Sequence, residues 1–186
     1  DEWGIDFTWN TFEEYLNSLI SKGHSLNIAV LIPHSAIRLA VMGFETREPT
    51  SKELEKMKSL VDDAMSAGAI GLSTGLEYSP GLYAKEAEII ALTKVVSKYG
   101  GIYASHIRQR GDLFEKAVNE ALNIAKIAEV QAQLSHLAPR PYAPKEPFDR
   151  VLEEIYSFIN NIGPIGIDSF PDPWGPAYLL DLAPTW

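Results

Sequence analysis

The sequence predicts an α/β fold in which about five parallel strands alternate with helices. Three observations carry this. Short apolar, β-branched runs alternate with amphipathic stretches of helical period, at intervals of roughly 30 to 40 residues. Turn residues separate nearly every pair of runs, as βα units with external helices require. Two of the runs, Ile102–Ser105 and Val130–Ser135, lead directly into His106 and His136, each behind a serine and 30 residues apart. That interval is about one βα unit, so both imidazoles are expected at the same end of neighbouring strands, the end where barrel enzymes place their chemistry.

The elements follow in order. Thr11 can cap a helix to Lys22, with Phe12, Tyr15, Leu16, Leu19 and Ile20 at helical spacing and Gly23 as its stop. Leu26–Ile32 reads as the first strand, and Ser35–Met42 as a short helix stopped by Gly43. Thr50 and Glu53 form a capping box for a helix with Leu54, Met57, Leu60, Val61 and Ala64 inward, ending at Gly68. Ala69–Thr74 is the second strand, and Gly75 to Gly81 is a loop. Ala84–Lys98 is a helix closed by Gly100-Gly101. After the strand Ile102–Ser105, a helix runs from Gly111 to about Glu129, followed by the strand Val130–Ser135. Pro139 to Pro147 is too proline-rich for regular structure. A helix over Phe148–Asn161 and a strand from Pro164 through Asp168 to Phe170 complete the alternation, before an irregular tail, Pro171 to Trp186.

Right-handed crossovers leave two arrangements, a (β/α)8-type barrel wall or an open doubly wound sheet. A full barrel takes about 200 to 250 residues or more. With 186 residues and five visible strands, the chain is either an open sheet or a single partial (β/α)-barrel, TIM-like, spanning 1–186.

Composition narrows the function classes. The net charge of −9 and the lack of a basic stripe argue against nucleic acid. Apolar runs of about five residues fall far short of the roughly 20 that cross a bilayer. The opening Asp-Glu-Trp has no basic or apolar signal region, and there is no cysteine, so the expected location is cytoplasmic.

The strand ends carry His34, Thr74, His106, His136 and Asp168. Buried parallel strands must finish somewhere polar, so a single polar residue there says little. The pair His106 and His136 says more, because both follow the same Ser on adjacent strands. They read as candidate metal ligands, and neutral imidazole suits zinc. A catalytic zinc usually has three protein ligands, and here neither a His-x-His pair nor any cysteine is present. The remaining ligands would be carboxylates or come from elsewhere. His24 reads as a solvated loop residue, and His34 as a turn or cap. Arg108 and Arg110, close behind His106, are candidates to bind a substrate carboxylate, against the alternative of a solvated loop. Gly71–Gly75 is glycine-rich but lacks the Lys-Ser/Thr of a phosphate loop. Trp3, Trp9, Trp174 and Trp186 lie near the termini, where they could cover an end or an interface.

The run Gly68-Ala-Ile-Gly-Leu-Ser-Thr-Gly-Leu-Glu-Tyr-Ser-Pro-Gly81 resembles the central signature of the D-aminoacylases, the N-acyl-D-amino-acid deacylases of the amidohydrolase superfamily. Lys98-Tyr-Gly-Gly-Ile-Tyr-Ala-Ser-His-Ile-Arg108 resembles the same family, as do Asn27–Ile32 with His34, Arg38 and Val41–Gly43, and Phe12–Leu16. The resemblance implies a metal-dependent barrel hydrolase that cleaves the linear amide of N-acyl-D-amino acids. It implies zinc in the complete enzyme, as a Lewis acid on the amide carbonyl, with His106 and His136 as the two histidine ligands of the middle strands.

The departures from the pattern are specific. The family's early His-x-His and its cysteine ligand would lie before Asp1, and its late catalytic aspartate beyond Trp186. Ala138 stands where the family has Lys, and Phe170-Pro171-Asp172 where it has Tyr-Pro-Tyr. Asp168 matches a family strand position without a catalytic assignment. The expectation is therefore a small-molecule hydrolase barrel in which an oligomer, or flanking sequence, completes the wall, and whose isolated 186 residues are inactive. Two readings stand beside it: a non-catalytic structural or interaction half-barrel derived from such an enzyme, and an unrelated open α/β binding domain.

Overall fold

A computed structural model describes residues 8–140 and 146–170. Trp3, Trp174, Trp186, the tail from Pro171 and part of the Pro-rich loop lie outside the described residues.

Helix α1 (Phe12–Lys22) begins at Thr11, whose Oγ1 accepts the Glu14 N–H while Glu14 accepts the Thr11 N–H, a reciprocal capping box. Strand β1 (Leu31–Pro33) leads straight into α2 (His34–Met42). Helix α3 (Ser51–Ser66) starts at the Thr50–Glu53 box read from the sequence. Strand β2 (Gly71–Gly75) and a 3-10 turn at Gly81–Tyr83 precede α4 (Glu86–Ser97). Then come β3 (Ile102–His106), α5 (Phe114–Ala128), β4 (Gln131–Leu134), α6 (Glu146–Asn161) and β5 (Ile165–Ile167).

All five strands form one sheet in the order β1-β2-β3-β4-β5, and every pairing is parallel. Each strand lies beside its predecessor, and α2 through α6 pack one against the next. A doubly wound sheet reverses its strand order at a switch point. This one does not reverse, so right-handed crossovers put the helices on one face, as in part of a barrel wall. A Cβ on Gly71 would run into the carbonyl of Ile102, its register partner on β3, so only glycine fits there.

Two buried clusters sit between sheet and helices. Leu72 and Ile32 pack with Met57, Val61 and Met65 of α3 and Leu92, Val95 and Val96 of α4. Tyr103, Ala132 and Leu134 pack with the inner stripes of α5 and α6, and Ile89 of α4 joins them. Helix α4 thus touches both clusters and links the halves of the layer. Each large side chain buried here stabilises the fold by about 1.5–3 kcal/mol.

Several boundaries differ from the sequence reading. Helix α6 starts at Glu146, inside the Pro-rich stretch, because Pro147 in the first turn lacks only an N–H that has no helical partner there. Two others have physical reasons of their own. Strand β1 covers three residues rather than Leu26–Ile32. The ladder with β2 begins opposite Leu31, the Ile70 N–H donates to the Val30 carbonyl just before it, and Leu26 and Ile28 further back are 75% and 50% exposed. Helix α5 starts at Phe114 rather than Gly111, because Gln109 Oε1 accepts the N–H groups of Gly111 and Leu113 and shapes a turn there.

Candidate metal centre

Because the strands are parallel and nearly in step, the residues after β2, β3, β4 and β5 meet at one edge of the sheet. His106 is the last residue of β3 and His136 lies just beyond β4. Their rings meet edge-on, with His106 Nδ1 3.0 Å from His136 Nε2. Tyr78 lies against the ring of His106, and Phe170 stacks on that of His136 at a centroid distance of 5.3 Å. The backbone of His136 is left-handed, at φ 40°, and its N–H donates to Asp168 Oδ1 at 2.6 Å.

The other nitrogen of His106, Nε2, lies 2.8 Å from Glu77 Oε2. Glu77 sits in the loop after β2 and also meets Arg140 Nη2 at 3.0 Å and Arg110 Nε at 3.4 Å. Burial pushes the Glu77 carboxyl up. The hydrogen bonds from His106 and Arg140 and the two guanidinium charges outweigh burial and hold it down at about 2. His136 is shifted down, first by burial and then by the charges of His106 and Arg110. A lowered imidazole stays neutral near pH 7, the form that ligates metals.

The geometry fits two ligands of one ion. Nitrogens held by a tetrahedral zinc at about 2.0–2.1 Å lie roughly 3.3 Å apart, close to the 3.0 Å seen here. Buried His136 Nδ1 has no hydrogen-bond partner among the described residues. Among the described residues, no group of three or more His, Cys, Asp or Glu side chains converges on one point.

Other residues raised by the sequence fall elsewhere. Arg108 is not brought to the histidine pair. Its Nε and Nη2 bond the carboxylate of Glu120 on α5 at 2.8–3.1 Å, and Nη1 and Nη2 reach the carbonyls of Leu82 and Ala84. The carboxylate anchor expected there is committed to holding α5 against the loop before α4. Thr74 is buried, with its hydroxyl on Tyr103 Oη and Ser105 Oγ. Burial lifts the Tyr103 phenol to about 12, over the lowering from Ser105 and Thr74. His34 is neither an exposed turn nor a cap: it is the fully buried first residue of α2, and its Nε2 meets Glu88 at 2.9 Å. Arg38 binds the same carboxylate.

Glu77 and Arg140 were not singled out from the sequence. One signal was available for the arginines. Arg110 and Arg140 each stand four residues after a histidine, and the N–H of Arg140 donates to the carbonyl of Arg110 at 2.7 Å, joining the two loops.

No protein-family model matches the chain. The chain is 38% identical over 122 residues to an N-acyl-D-glutamate deacylase of Alcaligenes xylosoxydans xylosoxydans, covering 66% of this chain and 25% of that protein. It is 37% identical over 133 residues to a D-aminoacylase of the same organism, covering 72% of this chain and 28% of the relative. A crystal structure of a D-aminoacylase, described as defining a novel subset of amidohydrolases, superposes with a TM-score of 0.81 and 32% identity, over 87% of this chain and 34% of that one. The N-acyl-D-glutamate deacylase of Bordetella bronchiseptica, solved with zinc and a phosphonate inhibitor, gives 0.81 and 29% identity over 88% of this chain and 34% of that one. Another solved D-aminoacylase is described as having a binuclear metal centre. The chain spans about a quarter to a third of the length of these proteins. By sequence and by fold, it is a relative of the D-aminoacylases, the N-acyl-D-amino-acid deacylases of the amidohydrolase superfamily.

Proposed function

We propose that this chain forms the metal-binding middle strands of an amidohydrolase barrel that hydrolyses the linear amide of N-acyl-D-amino acids. The observation that carries the reading is the convergence of His106 and His136 at the C-terminal edge of the sheet, in a chain whose relatives are such deacylases. His106 Nδ1 and His136 Nε2 would hold zinc, whose contribution when bound is Lewis-acid polarisation of the amide carbonyl. The chain's own residues prepare the site. Tyr78 and Phe170 wall the two rings. Asp168 fixes the backbone of His136. Arg110 and Arg140 bring positive charge to the same edge. Asp168 is not assigned the acid-base role, since its carboxylate is already shared between the His136 N–H and Gln133 Nε2.

Zinc titration of the 186-residue chain, paired with a deacylase assay, tests this. One zinc per chain is expected to bind weakly, and His106→Ala or His136→Ala should remove it. Turnover of N-acetyl-D-amino acids by this chain should stay at background, because two imidazoles leave the ion short of a catalytic ligand set. Zinc binding unaffected by either variant would refute the ligand pair. Chelator-sensitive turnover would show that the chain alone assembles the whole catalytic set. Absence of zinc binding would favour a half-barrel with a structural or interaction role.

A further inference from the structure

We infer that Glu77 is the positioning carboxylate of this site: it accepts the Nε2–H of His106 and so fixes the ring in the tautomer whose bare Nδ1 faces His136. The inference rests on reading His106 and His136 as a ligand pair, and deepens it.

A neutral imidazole has one N–H and one lone pair, so the partner of one nitrogen decides the role of the other. Ionised Glu77 is an acceptor only, and it lies 2.8 Å from Nε2. The proton therefore sits on Nε2, and Nδ1 presents a lone pair. Nδ1 is the nitrogen that faces His136 Nε2 at 3.0 Å. His136 Nε2–H donates to it in the metal-free molecule, which leaves buried His136 Nδ1, without a partner among the described residues, as a lone pair rather than a stranded donor. For an ion to sit between the rings, the His136 proton would move from Nε2 to Nδ1, so that both facing nitrogens present lone pairs.

The surroundings keep Glu77 in this role. Its Oε1 is taken by Arg140 and its Oε2 is shared by His106 and the neighbouring Arg110. The Glu77 and Arg140 side chains are 18% and 19% exposed, so the ion pairs are only partly screened by water. The loops after β2, β3 and β4 each contribute one member, and the Arg140–Arg110 backbone bond ties two of them. A carboxylate held this way cannot swing freely from the ring. Carboxylate partners of ligating histidines orient the ring and raise its basicity, and losing one typically costs 10- to 100-fold in metal affinity.

The test uses the full 186-residue chain and two readouts. Nitrogen-15 NMR of the imidazoles in the metal-free protein reads the His106 tautomer, and competition with a chromogenic chelator reads zinc affinity. The wild type is expected to show Nε2–H at His106. Glu77→Gln is expected to mix the tautomers and weaken zinc by about 10- to 100-fold, at unchanged stoichiometry and far-UV circular dichroism. Glu77→Asp keeps the charge but shortens its reach, and should lose less; it decides the matter if Glu77→Gln does not fold. A variant with the wild-type tautomer and wild-type zinc affinity overturns the role of Glu77 while leaving the ligand pair intact. A wild-type chain that binds no zinc overturns the ligand pair itself, and this inference with it.

Discussion

Asp168 and His136 are joined by a 2.6 Å bond from the His136 backbone N–H to Asp168 Oδ1, and His136 takes up a left-handed backbone at the same point. A non-glycine residue in that region stores about 1–3 kcal/mol of strain, so the residue turns its ring towards His106 only while its surroundings hold it there. The second oxygen of Asp168 accepts from Gln133 Nε2 at 2.7 Å, which ties the carboxylate to β4. Asp168→Ala is therefore expected to lower stability by about 1 kcal/mol and to weaken zinc binding. Urea denaturation and chelator competition measure the two effects. An unchanged zinc affinity would show that the ring keeps its place without this clamp.

Arg108 is expected to matter for stability and not for ligands. Its bonds to Glu120 and to the carbonyls of Leu82 and Ala84 are charge-assisted and three-quarters shielded. Arg108→Ala should cost about 2–3 kcal/mol, read as a fall in the urea midpoint, with zinc affinity unchanged. A stable variant with impaired binding of N-acyl-amino-acid carboxylates would return Arg108 to the site.

Glu88 joins His34 and Arg38 in a cluster whose three side chains are almost wholly buried between α2 and α4. Glu88→Ala leaves two buried basic groups without their counter-charge, and a loss of about 3–5 kcal/mol is expected. The cluster also has a pH signature. Burial pushes the Glu88 carboxyl up, but its bonds to His34 and Arg38 prevail and leave it below its ordinary value of 4.5. A lowered carboxylate contributes stability that is present above pH 4.5 and is lost as pH falls towards its folded value. Thermal melts between pH 7 and pH 3 should show this decline, and Glu88→Ala should flatten part of it.

Among the described residues, the two outer strands, β1 and β5, each have a neighbour on one side only. A small closed barrel needs about eight strands, and exposed edges pair with other chains. Apolar side chains flank both edges: Leu26 and Ile28 near β1 are 75% and 50% exposed, and Ile167 and Phe170 at β5 are 45% and 46% exposed. The 186-residue chain is expected to self-associate as its concentration rises. Light scattering that reports a monodisperse monomer throughout would count against open edges.

Local signals determined much of what is seen. The Thr11 and Thr50 caps, the helical stripes and the glycine stops each depend on a few residues close in sequence, so α1 and α3 were legible to within a residue or two. The placement of His106 and His136 at one edge followed from strand-helix alternation, because a helix between two neighbouring strands carries the chain back so that both run the same way. Strand length was less legible. Ile28 has a strand-like side chain, yet a strand exists only where another backbone pairs with it, and the bonds from the β2 segment reach back to the Val30 carbonyl. Choosing between a barrel wall and a doubly wound sheet needed the strand order, which local pattern does not encode. The tertiary structure alone decided the partners of the charged groups. Glu77 reaches His106 across 29 residues, Arg140 reaches Glu77 across 63, and Glu88 reaches His34 across 54. Long side chains on loops and helices can find many partners, and only the folded positions of β2, β3 and β4, and of α2 against α4, bring these particular ones within hydrogen-bond reach.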